Sequence, residues 1–294
     1  DYDGFGNLVS QIDHEANRTV LYGYDDLHRV TSADITSQGQ VIPRINYQYD
    51  KVGNFTKKGD YAKTYVYGDA SRSTRNAGAN AVRQITLLDN TVHLLGYDAN
   101  GNLTSNDDGD LSATYSTAMK PLNVTRNGRQ TNFKYDANDM RYKQTKVEGG
   151  VTTTVYYLDK DYELTVAENG TLTHTYYVGD HTIINTSSTN NVDDISHVSV
   201  DRLGSLSLLT NGNSQVNISV PGLAIRQHRG YDVFGRGFDL DNQQQKFLPN
   251  WMVTNRGFTG HEHLPSVDLI HMNGRGYDPR LGRFLSVDPF IQSE

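Results

Sequence analysis

The segment YDANGNL, Tyr97 to Leu103, reads as the end of a strand followed by a tight turn. An Asp carboxylate bonds backbone amides just downstream of itself, and a Gly three residues later takes a positive φ that other residues resist. The same phrase returns as YDGFGNL from Tyr2, YDDLHRV from Tyr24, YDKVGNF from Tyr49, YDANDMR from Tyr135 and YDVFGRG from Tyr231. Tyr2 to Tyr24 is 22 residues, Tyr24 to Tyr49 is 25, and Tyr49 to Tyr97 is 48, two periods with a degenerate copy between them. Weaker copies, YSTAMKP from Tyr115, YLDKDYEL from Tyr157 and YVGDHTI from Tyr177, keep steps of 18 to 22 residues. A period of this size marks stacked supersecondary units, none of which buries its face alone.

The flanks give the unit its type. TYVYG (Thr64 to Gly68), TTTVYYL (Thr152 to Leu158) and LTHTYYV (Leu172 to Val178) are β-branched and aromatic, and helical periodicity is nearly absent. AENGT (Ala167 to Thr171) is an independent hairpin signal. Each repeat therefore reads as a β-hairpin and the chain as all-β, with Tyr packing and Asp shaping the turn. Strands such as THTYYV, alternating small polar and aromatic side chains, can present a wet, hydrogen-bonding face.

Composition sets outer limits. At 294 residues the chain is long enough for a real interior, and 19 Tyr supply large amphipathic surface. A net charge of −7 without a basic run argues against a nucleic-acid partner and against an anionic membrane surface. There is no cysteine, so neither disulfides nor thiolate metal sites contribute. No stretch has the length of an apolar membrane span, and the opening DYDGFGNLVS lacks a signal-peptide pattern. That opening is already mid-pattern, so the expectation is a fragment of a longer protein, cut inside its repeats and again shortly after the closing motif.

The closing stretch RGFTGHEHLPSVDLIHMNGRGYDPRLGRFLSVDPFIQ runs from Arg256 to Gln292. Together with the Tyr-Asp copies and DRLGSLSLLTNGNSQV (Asp201 to Val216), it resembles an RHS/YD-repeat protein ending in its RHS-associated core. The resemblance covers essentially the whole chain and implies a sheet that spirals into a hollow shell. Residues 1–255 would be the repeat shell and 256–294 the core, with NQQQKFLPNW (Asn242 to Trp251) an inserted polar loop and the two parts sharing one continuous sheet. In bacterial members, a polymorphic-toxin or Tc-cocoon type rather than a teneurin being the better match, such a shell encloses a C-terminal toxin domain. The implied partners are that domain, a secretion apparatus or neighbouring toxin-complex subunit, and an immunity protein for the cargo. The implied setting is bacterial synthesis in the cytoplasm followed by export or delivery to target cells. The alternative is a cell-surface adhesion or carbohydrate-binding module without catalysis, for which exposed Tyr faces are suited.

The resemblance also implies self-cleavage of aspartyl-protease type. That chemistry needs two carboxyls sharing a proton, one acting as base on water while the other stays protonated. Asp288, in SVDP, is the first candidate, with Asp278 and Asp268 as partners; Pro265 occupies the position where the resemblance expects an acid. The cut itself would fall in an Asp-Pro-Gly segment beyond the core, which this sequence does not contain. Arg256, Gly257, Gly260, Glu262, Arg275, Tyr277, Pro279, Gly282, Arg283 and Pro289 are the remaining motif positions, assigned structural roles. Arg275, Arg280 and Arg283 are expected to pair with the aspartates and to lower their pKa values, which suits an ion-pair brace better than a dyad.

No cofactor or metal is expected. His261, His263 and His271 with Glu262 would suffice for zinc on paper, yet same-face histidines on a strand do not demand metal. NDDGD (Asn106 to Asp110) lacks the ligand spacing of a calcium loop and reads as a solvated turn. The GRG segments at Gly235 and Gly274 are not followed by the rest of a dinucleotide fingerprint, and no Gly-X-Ser-X-Gly elbow occurs.

Overall fold

The computed structural model describes residues 1–68, 76–190, 192–212, 225–240 and 251–288. Among them every regular element is a β-strand except one short 3-10 turn at Phe258–Gly260. The chain divides into two compact units, one of Asp1–Gly101 with Asn106–Asp108, the other of Asn102–Ser105 with the described residues from Gly109 onward.

In the first unit, antiparallel strands follow one another from Ser10–Asp13 to Val92–Tyr97, each paired with its neighbour in sequence. In the second, the same meander runs from Leu111–Tyr115 to Gly237–Asp239. Such pairing follows from the repeat: most neighbouring strands are too closely spaced in sequence for any crossover.

The turn chemistry is visible atom by atom. Asp50 Oδ1 accepts the amides of Val52 and Asn54, both at 2.9 Å. Asp25, Asp136 and Asp232 hold the same two amides of their own turns. Asp201, which follows Val200 where a repeat would have Tyr, does so as well. The residue before the second amide takes positive φ: Gly53 at 91°, Gly235 at 91°, and His28 at 59° where the phrase has His in place of Gly. In many copies the Tyr hydroxyl reaches back to a carbonyl of the preceding hairpin. Tyr24 donates to Leu8, Tyr49 to Val30, Tyr97 to Val82, Tyr115 to Leu103 and Tyr231 to Leu206, at 2.7–2.8 Å. A register shift sits at the Tyr of several copies, at Tyr24, Tyr49, Tyr115 and Tyr135. The bulge raises local twist and aims the ring at the previous turn, a feature periodicity alone does not reveal.

Alternate residues on one face are buried: Val20, Ala33, Tyr47, Tyr65 and Ile85 in the first unit, and Leu111, Val124, Phe133, Val155 and Leu209 in the second. Small polar residues share that face in the second unit, among them Thr131, Gln144, Thr175 and Ser196.

The closing block departs from the expectation of one continuous sheet. Glu262–Leu264, Leu269–Met272, Arg275–Asp278 and Arg283–Phe284 form a separate four-stranded antiparallel sheet. These strands are two to four residues long, and Pro265 and Pro279 sit in the turns after two of them, lacking the N–H a longer ladder would need. Leu264, Leu269, Ile270 and Leu285 are each no more than 2% exposed, so the small sheet supplies core instead of strand edge. One tie is direct backbone: the Leu103 amide donates to the Leu285 carbonyl at 2.7 Å.

Candidate functional site

The face formed by Arg141–Glu148, Val151–Tyr157, Tyr162–Val166 and Leu172–Val178 receives the closing block within the second unit. Register places Tyr157 opposite Glu163 and Glu163 opposite Thr175, so these side chains share one face. In the closing sheet, Glu262 stands opposite His271.

Glu262 is held by the repeat strands. Its Oε2 pairs with Arg141 Nη2, and the Tyr157 hydroxyl lies 2.9 Å from Oε1 and 2.8 Å from Oε2. Arg141 Nη1 donates to Gln144 Oε1 at 2.9 Å, and its guanidinium lies 4.1 Å over the Tyr157 ring. A second pair sits beside the first. Arg256 Nη2 meets Glu163 Oε1 at 2.8 Å and donates to the Lys160 carbonyl at 2.8 Å, while its guanidinium lies 3.4 Å over Tyr177. Between them opens a cavity of about 470 Å³ whose wall includes Arg141, Tyr157, Glu163, Arg256, Glu262 and His271.

The electrostatics follow from burial and these neighbours. Burial, with the charge of Glu262 beside it, raises the Glu163 carboxyl above its ordinary range, against the opposing pull of Arg256. Burial pushes the Tyr157 hydroxyl well up, so it stays a neutral donor. His271 is driven well down by burial and by Arg141, and Nε2 lies 3.2 Å from the Tyr135 hydroxyl.

The aspartates named by the sequence take different places. Asp278 is 1% exposed; its Oδ2 accepts from Arg126 Nη2 at 2.8 Å, and its Oδ1 accepts the amides of Arg280 and Leu281. Burial alone would raise its pKa, but Arg126 and Arg280 outweigh burial and hold it below the usual carboxylate range. Asp268 is half-exposed and lies 3.7 Å from Arg280 Nη1, whose Nε is 3.8 Å from Asp278 Oδ1. One guanidinium thus stands between these two carboxylates. Asp288 is half-exposed and pairs with Arg275 at 3.0 Å, Arg275 also lying 3.7 Å over Phe284. Each aspartate faces a cation, an arrangement that favours ionised carboxylates over a shared proton.

The remaining motif positions shape the block. A Cβ on Gly257 would meet Trp251 at 2.6 Å and His263 at 2.7 Å, while Gly260 and Gly282 take φ of 72° and 69°. Tyr277 meets Phe284 edge-on at 5.3 Å, Pro279 begins the turn after Asp278, and Arg283 pairs with Asp278 in register. Pro289 lies outside the described residues, as do 242–250 of the expected polar loop; Trp251, its last residue, stacks 4.0 Å from His263. His263 Nε2 accepts the Phe258 amide, and His261 Nδ1 contacts the Thr259 hydroxyl, so the three histidines have separate partners.

Sequence reading missed the cations and acids that the repeats supply. Arg126, Arg141 and Glu163 sit on ordinary strands, and Arg229 carries no motif. Arg229 is 1% exposed and donates to Gln227 Oε1 and to the carbonyls of Arg256, Met252 and Thr254, organising the entry to the block. Burial lowers it to about 10. The available signal was decay of the repeat: in the copies from Tyr157 and Tyr177 the Asp is displaced downstream, and the two hydroxyls turn to Glu262 and Thr254 instead of to a preceding carbonyl.

Tyrosine-anchored, aspartate-capped hairpins closed by this block define an RHS/YD-repeat protein. The chain belongs to the teneurin YD-shell family, whose model matches residues 1–293. It is 29% identical over 254 residues to the tRNA3(Ser)-specific nuclease WapA of Bacillus spizizenii and 28% identical over 257 residues to the tRNA nuclease WapA of Bacillus subtilis. Each match covers 83% of this chain and 10% of the relative, so the chain spans about a tenth of their length. Among solved structures, TcdB2-TccC3-Cdc42 matches with a TM-score of 0.52 and 16% identity, covering 98% of this chain and 18% of that one, a likeness of fold. No helix among the described residues is long and apolar enough to cross a membrane.

Proposed function

We propose that this chain is the closing segment of a bacterial toxin's shell, which encloses a C-terminal polypeptide, and that residues 256–288 latch that end of the shell. The observation that carries this reading is the Arg126–Asp278 pair, which joins residues 152 apart at 4% and 1% side-chain exposure. An isolated buried charge is costly, so each partner holds the other in place and thereby holds the block on the sheet. Two curated relatives bear nuclease names, and their activity would belong to segments outside this tenth of their length. The enclosed polypeptide is the proposed first partner, with a delivery apparatus or toxin-complex subunit and an immunity protein beyond it.

Aspartyl self-cleavage is a second reading, favoured by one observation: Asp288 stays half-exposed near the end of the described chain, where a following segment could meet it. Two experiments on the full-length protein test the pair of readings. Limited proteolysis should spare the polypeptide after Asp288 in the wild type and cut it in Arg126→Met; equal cutting in both contradicts the latch. Intact mass should show a split that Asp288→Asn abolishes; a wild type that folds and stays whole removes the protease.

A further inference from the structure

The strand Val92–Tyr97 carries His93, and the turn after Leu103–Asn106 carries Asp107 and Asp108. Two backbone ties fix this turn against the strand. The Asp107 amide donates to the Leu94 carbonyl at 3.0 Å, and Asp107 Oδ1 accepts the Leu94 amide at 2.8 Å. The carboxylates therefore stand beside the imidazole by construction of the fold, and all three residues belong to the first unit.

The donor atoms converge. His93 Nδ1, one oxygen of Asp107 and one of Asp108 all lie within 4.8 Å of one another. Asp107 Oδ1 is 4.0 Å from Nδ1, and an Asp108 oxygen lies directly against Nδ1. Nδ1 is shut off from solvent, and these two carboxylates are the charged groups beside it, Asp108 in ion-pair contact with it. An imidazole nitrogen and two carboxylate oxygens gathered this closely, with two like-charged carboxylates side by side, make a donor set that one cation can share. The His93 side chain is 17% exposed, Asp107 26% and Asp108 42%, leaving an open side through which an ion and its waters enter.

We propose that His93, Asp107 and Asp108 bind one divalent first-row transition ion, of which zinc is the representative. The donor set selects the class. Imidazole favours zinc and its neighbours, whereas calcium and magnesium prefer oxygen alone, and three protein ligands leave the remaining positions to water. With Asp107 already held by Leu94, the ion ties the turn to the strand. The site owes nothing to the closing block, so it stands or falls separately from the latch.

The test is equilibrium dialysis of the 294-residue chain against zinc, with bound metal counted, alongside Asp108→Asn, His93→Asn and a calcium control. The expected result is one saturable zinc equivalent in the wild type, bound roughly tenfold or more weakly in either variant, with calcium failing to displace it. Zinc should also raise the thermal midpoint of the wild type and leave that of Asp108→Asn unmoved. Asp108 is a surface residue whose amide preserves shape, so this variant reports on the site even if His93→Asn misfolds. Equal stoichiometry and affinity in wild type and Asp108→Asn, no saturable zinc in the wild type, or calcium binding in preference to zinc would each overturn the assignment.

Discussion

Tyr157 and Glu262, 105 residues apart, are joined by a hydroxyl that sits 2.8 and 2.9 Å from the two carboxylate oxygens. Other repeat tyrosines give the same hydroxyl to a backbone carbonyl, as Tyr97 does to Val82 at 2.8 Å. Hydrogen bonds to charged groups contribute more than neutral ones. Tyr157→Phe is therefore expected to cost about 1.5–3 kcal/mol and Tyr97→Phe about 1 kcal/mol, read from urea unfolding. Equal losses would mean that Tyr157 does no more than an ordinary repeat position.

Acid should act on the two buried acids in opposite directions. Asp278 has its folded pKa depressed, so its contribution is present above the unfolded value near 3.8 and is lost as pH falls through the folded value. Glu163 has its folded pKa raised above 4.5, so its contribution is present below the unfolded value and is lost as pH rises through the folded one. Thermal midpoints of wild type and Glu163→Gln from pH 7 to 4 should show the wild type gaining on the variant as pH falls. A difference that stays constant or reverses would exclude the proposed crowding of Glu163 by Glu262.

Two glycines with similar backbone angles should respond differently. Gly235 has φ of 91°, and a Cβ there would meet Phe258 at 2.5 Å, whereas Gly170, at 82°, opens onto free space. Gly170→Ala should cost about 1 kcal/mol from backbone strain alone, and Gly235→Ala about 2 kcal/mol or more because the Phe258 ring must move. Chemical denaturation of both variants decides it, and equal costs would show that Phe258 yields without penalty.

What the sequence disclosed was local. Asp50, Gly53 and Tyr49 announce their turn because the carboxylate, the positive φ and the ring act within a few residues of one another, and repetition makes the pattern plain. The bulge at Tyr49 was hidden, since an extra residue in a ladder leaves no mark on a loose period. The site was half legible. Glu262, Arg256 and Asp278 stand in the closing motif, but their partners Arg141, Glu163 and Arg126 look like any polar residue on an exposed strand face until the block covers them. His93 is 14 residues from Asp107 and became a neighbour only through the ties of Leu94.

The latch itself is tested most directly by a double-mutant cycle on Arg126→Met and Asp278→Asn, measured by urea denaturation. Each single change should cost about 3–5 kcal/mol by stranding its buried partner, and the double change should cost clearly less than the sum. Single losses below about 0.5 kcal/mol, or losses that simply add, would show that this pair does not hold the closing block to the sheet.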